Sequence, residues 1–274
     1  MLSRINQFRS PSQPISITAY HSIHNFPDIC TISPETFQRQ MEFIHQHFSI
    51  IRLREIKKLM NAQDLSRKVV ITFDDAFCDF HEFAYPVLEK HQIPATVFVP
   101  TGFIGKYNEW DFPFHTCHKR PVMDTVQLKE LHRTGLVDFG SHTVDHVRLS
   151  GLRVEEMRRQ ASESRERLED LLSTPVTMFS YPYGRLGEFS SLTSRILSET
   201  GYKIGVTTHW GTRNAPQDLL CLRRIRLKQK NSLRTIRSKI EGRCDCIFLL
   251  RARVMFGMRT LKGLFPSSGG KRKE

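Results

Sequence analysis

The amino-acid sequence predicts an α/β fold in which helices surround a parallel sheet or barrel. Apolar strand-like segments alternate with helix-like segments along the chain, as in parallel strands joined by helical crossovers. Polar and titratable side chains directly follow several of these strands, at the edge where such folds carry their chemistry. Hydrophobic residues make up 39% of the 274 residues, enough to fill a large core. Disordered, collagen-like and disulfide-stapled miniprotein classes are therefore excluded.

The elements are predicted in order from capping residues, apolar runs and helical periodicity. Ser33 before Pro34 indicates the start of the first helix, which we expect to end near Phe48. Between Val154 and Leu172, apolar residues recur at helical spacing among charges, which indicates the clearest helix. The other predicted helices are 79–91 and 125–133, and the short apolar runs predict strands over 15–20, 50–53, 68–73, 95–99, 137–140, 176–180, 203–207 and 222–227.

The positive charge of the chain is concentrated in its C-terminal part. Residues 1–222 carry 25 basic and 25 acidic side chains, whereas residues 223–274 carry 16 basic and 3 acidic ones. Residues 246–274 also contain an apolar stripe at helical spacing: Ile247, Leu250, Val254, Met258, Leu261 and Phe265. Such a basic amphipathic helix predicts binding to an anionic membrane surface. The alternatives are a closing helix packed on the barrel and a nucleic-acid-binding arm, which the apolar stripe disfavours.

The N-terminal residues and the cysteines predict a location inside the cell. Residues 1–14 lack the apolar run of a signal peptide, and no stretch has the roughly 18 apolar residues of a transmembrane helix. The six cysteines lack the spacing of a secreted disulfide framework and are interpreted as reduced thiols. We therefore expect a cytoplasmic protein, peripheral at the inner face of the membrane if the basic tail binds there.

Four residues that follow two of the predicted strands form a candidate metal site. Asp74 and Asp75 come directly after one buried strand, and His142 and His146 come after another. The two histidines are four residues apart, so on a helical turn both imidazoles face the same way. Two imidazoles and one carboxylate suit Zn²⁺, Fe²⁺ or another divalent ion, with positions left for water and substrate. The second carboxylate can then take a proton from water.

Three longer motifs contain these residues. They are Thr72-Phe73-Asp74-Asp75, Ser141-His142-Thr143-Val144-Asp145-His146 and Phe179-Ser180-Tyr181-Pro182-Tyr183-Gly184. In order and spacing they resemble the first three motifs of the NodB-like polysaccharide deacetylases, carbohydrate esterase family four. The segment Tyr20-His21-Ser22 is similar to the leading segment of many bacterial members. The resemblance covers residues 15–227 and implies a distorted parallel (β/α) barrel with fewer than eight full units.

The resemblance also implies chemical roles for these positions. Asp75, His142 and His146 are expected to hold one divalent metal ion, most often Zn²⁺, and Asp74 to act as the general base. The backbone N–H of Tyr183 is expected to stabilise the oxyanion. The implied reaction is metal-dependent hydrolysis of an N-acetyl group, or an O-acetyl ester, on an amino-sugar polysaccharide or its lipid-linked precursor, with release of acetate.

The chain departs from the family pattern at three places. Ser180 stands where family members carry an arginine that orients the base, and His209-Trp210 stands where an Asp-Trp pair would hold that arginine. We therefore expect both halves of this ion pair to be absent, because losing one alone would leave a buried charge unpaired. The final motif lacks its catalytic histidine, so His209 is assigned as the catalytic acid, with His21 as the alternative.

The remaining expectations concern substrate contacts, organisation and other functions. His21, Pro182 and Trp210 are expected to contact the substrate. The predicted organisation is an N-terminal tail of 1–14, a deacetylase domain of 15–227 and a basic C-terminal extension of 228–274. Two other functions stay open at this stage: deformylation or amide hydrolysis on a lipid-linked aminosugar, and a catalytically degenerate module that binds glycan or membrane.

Overall fold

The computed structural model describes residues 15–60, 67–111 and 118–245. The described strands are β1 (Ser16–Tyr20), β2 (Ser22–Ile23), β3 (Thr31–Ile32), β4 (Ser49–Ile50), β5 (Lys68–Phe73), β6 (Ala95–Val99), β7 (Val137–Ser141), β8 (Met178–Ser180), β9 (Ile204–Trp210) and β10 (Leu222–Arg226). The described α-helices are α1 (Pro34–His47), α2 (Ile56–Met60), α3 (Tyr85–Lys90), α4 (Thr125–Arg133), α5 (Val154–Leu172), α6 (Ser191–Glu199) and α7 (Leu233–Ile240).

Seven of these strands close into a parallel barrel. Their order is β1, β5, β6, β7, β8, β9, β10 and back to β1. β1 closes the ring, since it pairs with β5 on one side and with β10 on the other. β4 pairs with the start of β5, and β2 and β3 form a separate small sheet. The predicted barrel with fewer than eight full units is confirmed.

Most predicted elements agree with the structure to within a few residues, and two differ for local reasons. In the predicted strand 50–53, only Ser49–Ile50 pairs, because the fully buried Leu53 begins a 3₁₀ turn that packs under the barrel. The predicted helix 79–91 is divided into a π-helical turn, Phe80–Ala84, followed by α3. Pro86 in the first turn of α3 has no N–H to donate, which explains this break in α-helical hydrogen bonding.

Alternating strand residues divide the core into two hydrophobic clusters. The larger cluster packs between the strands and the helices. The smaller one contains alternate strand residues such as Val70, Phe98 and Met178 and fills the barrel interior. Gly140 has no side chain because a Cβ there would lie 2.6 Å from the Phe98 ring. Near the carboxyl ends of the strands, the barrel interior holds polar side chains such as Thr72, Ser180 and Arg224.

The helix α7 packs against the barrel rather than leaving it. Its residues Ile236 and Ile240 are buried, and Ser16 Oγ donates a hydrogen bond to Ile240 O at 2.7 Å. Residues 228–245 of the predicted extension are therefore continuous with the barrel core. The predicted amphipathic segment 246–274 lies outside the described residues. Among the described helices, none is long and apolar enough to cross a bilayer.

The cysteines do not all match the expectation of reduced thiols. Cys78, Cys221 and Cys244 are free, but Cys30 is disulfide-bonded. A disulfide depends on the approach of two Cβ atoms in the folded chain, which the spacing of cysteines along a long sequence does not reveal. The thiol interpretation was therefore wrong for Cys30, and it no longer supports an intracellular location.

Candidate active site

The neighbouring residues Asp74 and Asp75 leave β5 in different directions. The backbone N–H of Asp74 donates to Tyr20 O at 3.0 Å, which extends the pairing of β5 with β1. Asp75 has a φ of 71°, a left-handed conformation that turns the chain sharply. Both carboxylates are buried, but this turn carries them into different surroundings.

Asp75 lies against the two predicted histidine ligands. Its Oδ1 atom is 3.1 Å from His146 Nε2 and 3.5 Å from His142 Nε2. One ligand atom from each of the three residues lies within 4.8 Å of the others, and all three side chains are buried. The structure therefore brings together the carboxylate and both imidazoles, as the sequence predicted.

The two histidines converge through a loop rather than through the helical turn that their spacing suggested. The residues after β7 are not helical, and Thr143 and His146 have φ values of 65° and 52°. The two imidazole centroids are 4.8 Å apart. The helical interpretation was thus wrong, although the expected closeness of His142 and His146 is present. Left-handed backbone at non-glycine residues is costly, and it concentrates around functional sites.

The hydrogen bond of His142 defines which ring nitrogen can bind a metal. His142 Nδ1 lies 2.7 Å from Ser180 O, and a carbonyl oxygen can only accept, so Nδ1 carries the proton. The lone pair of Nε2 then faces Asp75. Burial lowers the pKa of His142 to about 4, so the imidazole is neutral at pH 7. This backbone contact is the kind that orients a metal-ligating histidine.

Asp75 has the features expected of a carboxylate that awaits a cation. Burial raises the pKa of Asp75, because no described cation contacts it closely enough to offset the loss of hydration. Its Oδ1 atom is buried and accepts no hydrogen bond from the described residues. A divalent ion bound between this oxygen and the two imidazoles would offset the loss of hydration and would give Oδ1 a bonding partner. The donor set therefore fits a metal such as Zn²⁺.

Asp74 is instead paired with an arginine that the sequence analysis did not identify. Arg224, on β10, donates from Nη1 to Asp74 Oδ1 at 2.9 Å and from Nη2 to Asp74 Oδ2 at 2.6 Å. Burial alone would raise the pKa of Asp74, but the charge and hydrogen bonds of Arg224 hold it well below its usual range. Asp74 is consequently ionised throughout the neutral range.

Every N–H of the Arg224 guanidinium has an acceptor. In addition to the two bonds to Asp74, Arg224 donates to Thr72 Oγ1 at 3.0 Å, to Ser180 Oγ at 3.1 Å and to Thr207 O at 2.8 Å. These are all five donors of an arginine side chain, which is 1% exposed. A buried ion pair is tolerated only when its remaining donors are satisfied in this way.

The arginine at position 180 and the aspartate before Trp210 are both absent, as expected, but the base is still paired, because Arg224 takes the place beside Asp74. Ser180 leaves room in the barrel, and the guanidinium enters from β10 and bonds to the serine hydroxyl. An arginine from a different strand thus contacts Asp74. The sequence contained one signal: Leu222, Arg224 and Arg226 alternate on the barrel-facing side of a strand, where cations are unusual.

His21 lies at the same rim, beside both aspartates. Its ring is partly exposed, but Nδ1 is buried and has no hydrogen-bond partner among the described residues. Burial lowers the pKa of His21 to about 4; the negative charge of Asp75 opposes this shift and the positive charge of Arg226 adds to it. Arg226 follows Arg224 on β10 and pairs with Ala19, which brings its charge close to His21.

The third motif contributes Tyr183 next to the histidines. Its ring centroid is 5.2 Å from that of His146, and its φ is 62°. The guanidinium of Arg148 lies 4.4 Å above the same ring. Pro182 is buried beneath this turn. Trp110 stacks on His146 at 4.5 Å and forms another wall of the site.

His209 and Trp210 are placed on a different part of the rim. His209 is half-buried, its nearest aromatic neighbour is Phe189 at 6.4 Å, and burial beside Arg223 lowers its pKa. No described contact joins His209 to Asp74, Asp75 or the two ligand histidines. The Lys239 ammonium lies 5.0 Å above the Trp210 ring, so this tryptophan packs towards α7.

The chain is similar in sequence and fold to known proteins. Residues 61–205 match the family model described as polysaccharide deacetylase. Over 216 residues the chain is 30% identical to the Bacillus subtilis protein YxkH, covering 78% of this chain and 71% of that relative. Over 168 residues it is 27% identical to a poly-β-1,6-N-acetyl-D-glucosamine N-deacetylase of Staphylococcus aureus, covering 58% of this chain and 55% of that relative.

A solved structure extends the similarity to three dimensions. The Streptococcus pyogenes deacetylase PplD in complex with acetate has a TM-score of 0.71 and 27% sequence identity, covering 83% of this chain and 98% of that chain. The barrel thus extends over nearly the whole of that protein. By contrast, the match spans only about half the length of the staphylococcal relative, at 55%.

Proposed function

Because this chain belongs to the polysaccharide deacetylase family, whose members are hydrolases of non-peptide carbon–nitrogen bonds, we propose that it removes acetyl groups from an N-acetylated amino-sugar glycan. The observation that carries the proposal is the contrast between a buried, incomplete ligand set at Asp75 and a fully paired base at Asp74. A degenerate barrel without catalysis has no need to maintain either arrangement.

In this proposal, Asp75, His142 and His146 hold one divalent ion, with Zn²⁺ as the leading candidate. When bound there, such an ion acidifies water and polarises the acetyl carbonyl. The protein supplies two imidazoles, of which His142 stays neutral at pH 7, and one carboxylate with an unfilled oxygen. His142 is held in the correct tautomer by Ser180 O.

Asp74 is proposed as the general base. Arg224 keeps its carboxylate ionised and fixes its orientation, so a lone pair is available for the proton of the attacking water. The water oxygen forms a bond to the acetyl carbon, and the carbon–nitrogen bond then breaks to release acetate. Arg224 is a positioning residue in this scheme, because it acts on the substrate through Asp74.

The amine that leaves must receive a proton, and Asp74 holds the one taken from the attacking water; we propose that this proton reaches the amine through His21 rather than through His209. His21 is electrostatically coupled to Asp74 and Asp75, and its Nδ1 atom has no competing partner among the described residues. His209 lacks any described contact with those groups. The backbone N–H of Tyr183 is proposed to donate to the oxyanion, and the rim residues His21, Pro182 and Trp110 to contact the sugar.

The experiment that tests this function is acetate release from β-1,6-linked N-acetylglucosamine oligomers and from chitin oligomers. Enzyme stripped with a chelator is compared with enzyme resupplied with Zn²⁺ or Co²⁺, and Asp75→Asn serves as the matched control. We expect release that depends on added metal and is absent in the variant. Equal release by chelated enzyme, or by Asp75→Asn, would contradict the assigned site.

The other sequence-based expectations stay proposals. These are the domain limits of 15–227 and 228–274, the cytoplasmic location and the membrane-binding role of residues 246–274, a segment that lies outside the described residues. Deleting residues 246–274 should move the protein from membrane to soluble fractions if that role is correct. Unchanged fractionation would remove the membrane proposal without affecting the catalytic one.

A further inference from the structure

The residues that join the two proposed histidine ligands follow a strained path. We call residues 143–145 the ligand loop. Thr143 within this loop and His146 directly after it have φ values of 65° and 52°. Left-handed backbone at residues that carry a Cβ persists only where the surrounding structure enforces it. The contacts that hold the ligand loop therefore also fix the spacing between the imidazoles of His142 and His146.

The segment after β6 holds the carbonyl groups of the ligand loop. The backbone N–H of Thr101 donates to Thr143 O at 3.0 Å, and that of Gly102 donates to Val144 O at 2.9 Å. Glycine permits this close approach, because a Cβ on Gly102 would lie 2.7 Å from Val144 O. Both bonds engage carbonyl oxygens, so the N–H groups of the ligand loop need other partners.

Gln160, on α5, supplies those partners. Its Oε1 atom accepts hydrogen bonds from Val144 N at 3.0 Å and from Asp145 N at 3.1 Å. Because a backbone N–H can only donate, the side-chain amide must present its oxygen to the ligand loop. The amide nitrogen then donates to Asp145 Oδ2 at 2.6 Å and to Glu156 Oε1 at 3.0 Å. One side chain thus engages both the backbone and a side chain of the loop.

Gln160 is the buried part of this support. Its side chain is 1% exposed, so water does not replace the bonds that it makes to the ligand loop. Arg159 also donates to Asp145 Oδ2, at 2.9 Å, but its side chain is 44% exposed and the ion pair is weakened by solvent. No described hydrogen bond joins Gln160 to His142 or His146. Any effect of Gln160 on a bound metal is therefore transmitted through the ligand loop.

We propose that Gln160 is a positioning residue that sets the affinity of the site for its divalent ion. It does so by holding the ligand loop in the left-handed path that brings His142 and His146 together. The inference rests on the proposed function, to which the ligand set belongs. Contacts that orient metal ligands change metal affinity by about 10–100-fold when they are removed.

The first test compares Gln160→Met with Gln40→Met by calorimetric titration of the metal-free proteins with Zn²⁺. Methionine replaces the amide with a thioether, which is a weak acceptor. Gln40 is the matched control, because it is also 1% exposed but bonds to Tyr20 Oη and Lys228 O, away from the ligand loop. We expect the Kd for Zn²⁺ to rise about 10–100-fold in Gln160→Met and to stay unchanged in Gln40→Met. Equal affinities for the wild type and Gln160→Met would overturn the inference.

Hydrogen exchange in the metal-free proteins shows whether the ligand loop itself responds. The amides of Val144 and Asp145 should exchange at least about tenfold faster in Gln160→Met, because each loses its acceptor. In Gln40→Met these two amides should exchange as in the wild type. A weaker affinity for Zn²⁺ with unchanged exchange at both amides would indicate a general structural defect and would contradict the positioning role.

An exchange of polar partners keeps the inference testable if Gln160→Met does not fold. Gln160→Glu retains an acceptor for the two loop N–H groups but places a carboxylate against Asp145, so the affinity for Zn²⁺ should fall. Adding Asp145→Asn restores a donor opposite the new carboxylate, and the double variant should bind Zn²⁺ about tenfold more tightly than Gln160→Glu. A double variant that binds no better than Gln160→Glu would refute the assigned contact.

Metal binding and acetate release together separate this inference from the proposed function. If Zn²⁺ binds with an affinity that depends on Gln160 but no acetylated glycan releases acetate, the function fails and the positioning role stands. If the wild type releases acetate in a metal-dependent way and Gln160→Met binds Zn²⁺ equally well, the function stands and the positioning role is overturned.

Discussion

Asp74 and Asp75 are adjacent in sequence but occupy opposite electrostatic surroundings. Asp74 is bonded on both oxygens by Arg224, and its pKa lies well below the usual range. Asp75 is equally buried, but its pKa is raised and its Oδ1 accepts no hydrogen bond from the described residues. The charge of Asp74 is compensated by a side chain of the protein, whereas the charge of Asp75 would be compensated only by an added cation.

This difference between Asp74 and Asp75 shows that a single turn of the backbone can place two neighbouring carboxylates in different chemical surroundings. The left-handed φ of Asp75 sends the two carboxylates into different environments. Among the seven described non-glycine residues with positive φ, five lie in the loops of the site: Asp75, Ala76, Thr143, His146 and Tyr183. Backbone strain is thus concentrated around the incomplete ligand set, and the complete ion pair at Asp74 sits on regular β structure.

The largest effect is expected from Asp75→Asn. Removing the ligand charge should abolish metal binding and lower acetate release by at least about 10³-fold. The metal-free variant should nevertheless unfold at a temperature about 2–4 °C higher than the metal-free wild type, because a poorly compensated buried charge is removed. Metal content by mass spectrometry and thermal unfolding test the two parts. An unfolding temperature lower for metal-free Asp75→Asn than for the metal-free wild type would contradict the contrast between Asp74 and Asp75.

Asp74→Asn should cost both rate and stability. Loss of the proposed base should lower kcat about 10²–10⁴-fold while the metal stays bound. Arg224 would be left as an uncompensated buried charge, so the free energy of unfolding should fall by about 3–5 kcal/mol. Denaturant unfolding and metal analysis check these outcomes. Adding Arg224→Met to Asp74→Asn should recover part of the lost stability without recovering kcat. If the double variant is no more stable than Asp74→Asn alone, the ion pair of Asp74 with Arg224 is contradicted.

Arg224→Lys should have a smaller effect that is visible in the pH profile. A lysine keeps the charge but provides three donors from one atom instead of five in a planar fork, so Asp74 is held less firmly. We expect kcat to fall about tenfold and the acidic limb of the kcat profile to move to higher pH as the pKa of Asp74 rises. A fall in kcat with an unmoved acidic limb would indicate a purely structural role for Arg224.

The mildest test uses pH alone on the metal-free protein. The pKa of His142 is about 4 in the folded state and 6.5 when exposed, so the unfolded state binds more protons between these values. Stability should therefore be fully present above pH 6.5 and decline as the pH falls towards 4. Added metal should steepen this decline, since protons then compete with the ion. His142→Gln should flatten it, and denaturant midpoints measured across this range provide the check.

Much of the site was accessible from sequence because its signals are local. Asp74, Asp75, His142 and His146 directly follow strands that their own apolar runs identify, and parallel strands bring their carboxyl ends to one rim. The reason given for the closeness of His142 and His146 was wrong, since a loop with left-handed residues replaces the expected helical turn. Residue spacing along the chain does not distinguish these two backbone paths.

The order of the seven barrel strands, the barrel class and the positions of Asp74, Asp75, His142 and His146 after their strands were determined by the sequence alone, because apolar periodicity and motif spacing are properties of neighbouring residues. Only the tertiary structure decided that Arg224 replaces the missing arginine, that His21 lies beside the aspartates and that Cys30 is disulfide-bonded. The ion pair joins residues 150 positions apart. Such contacts form when β1 closes the ring between β5 and β10, and no local pattern in either segment records that closure.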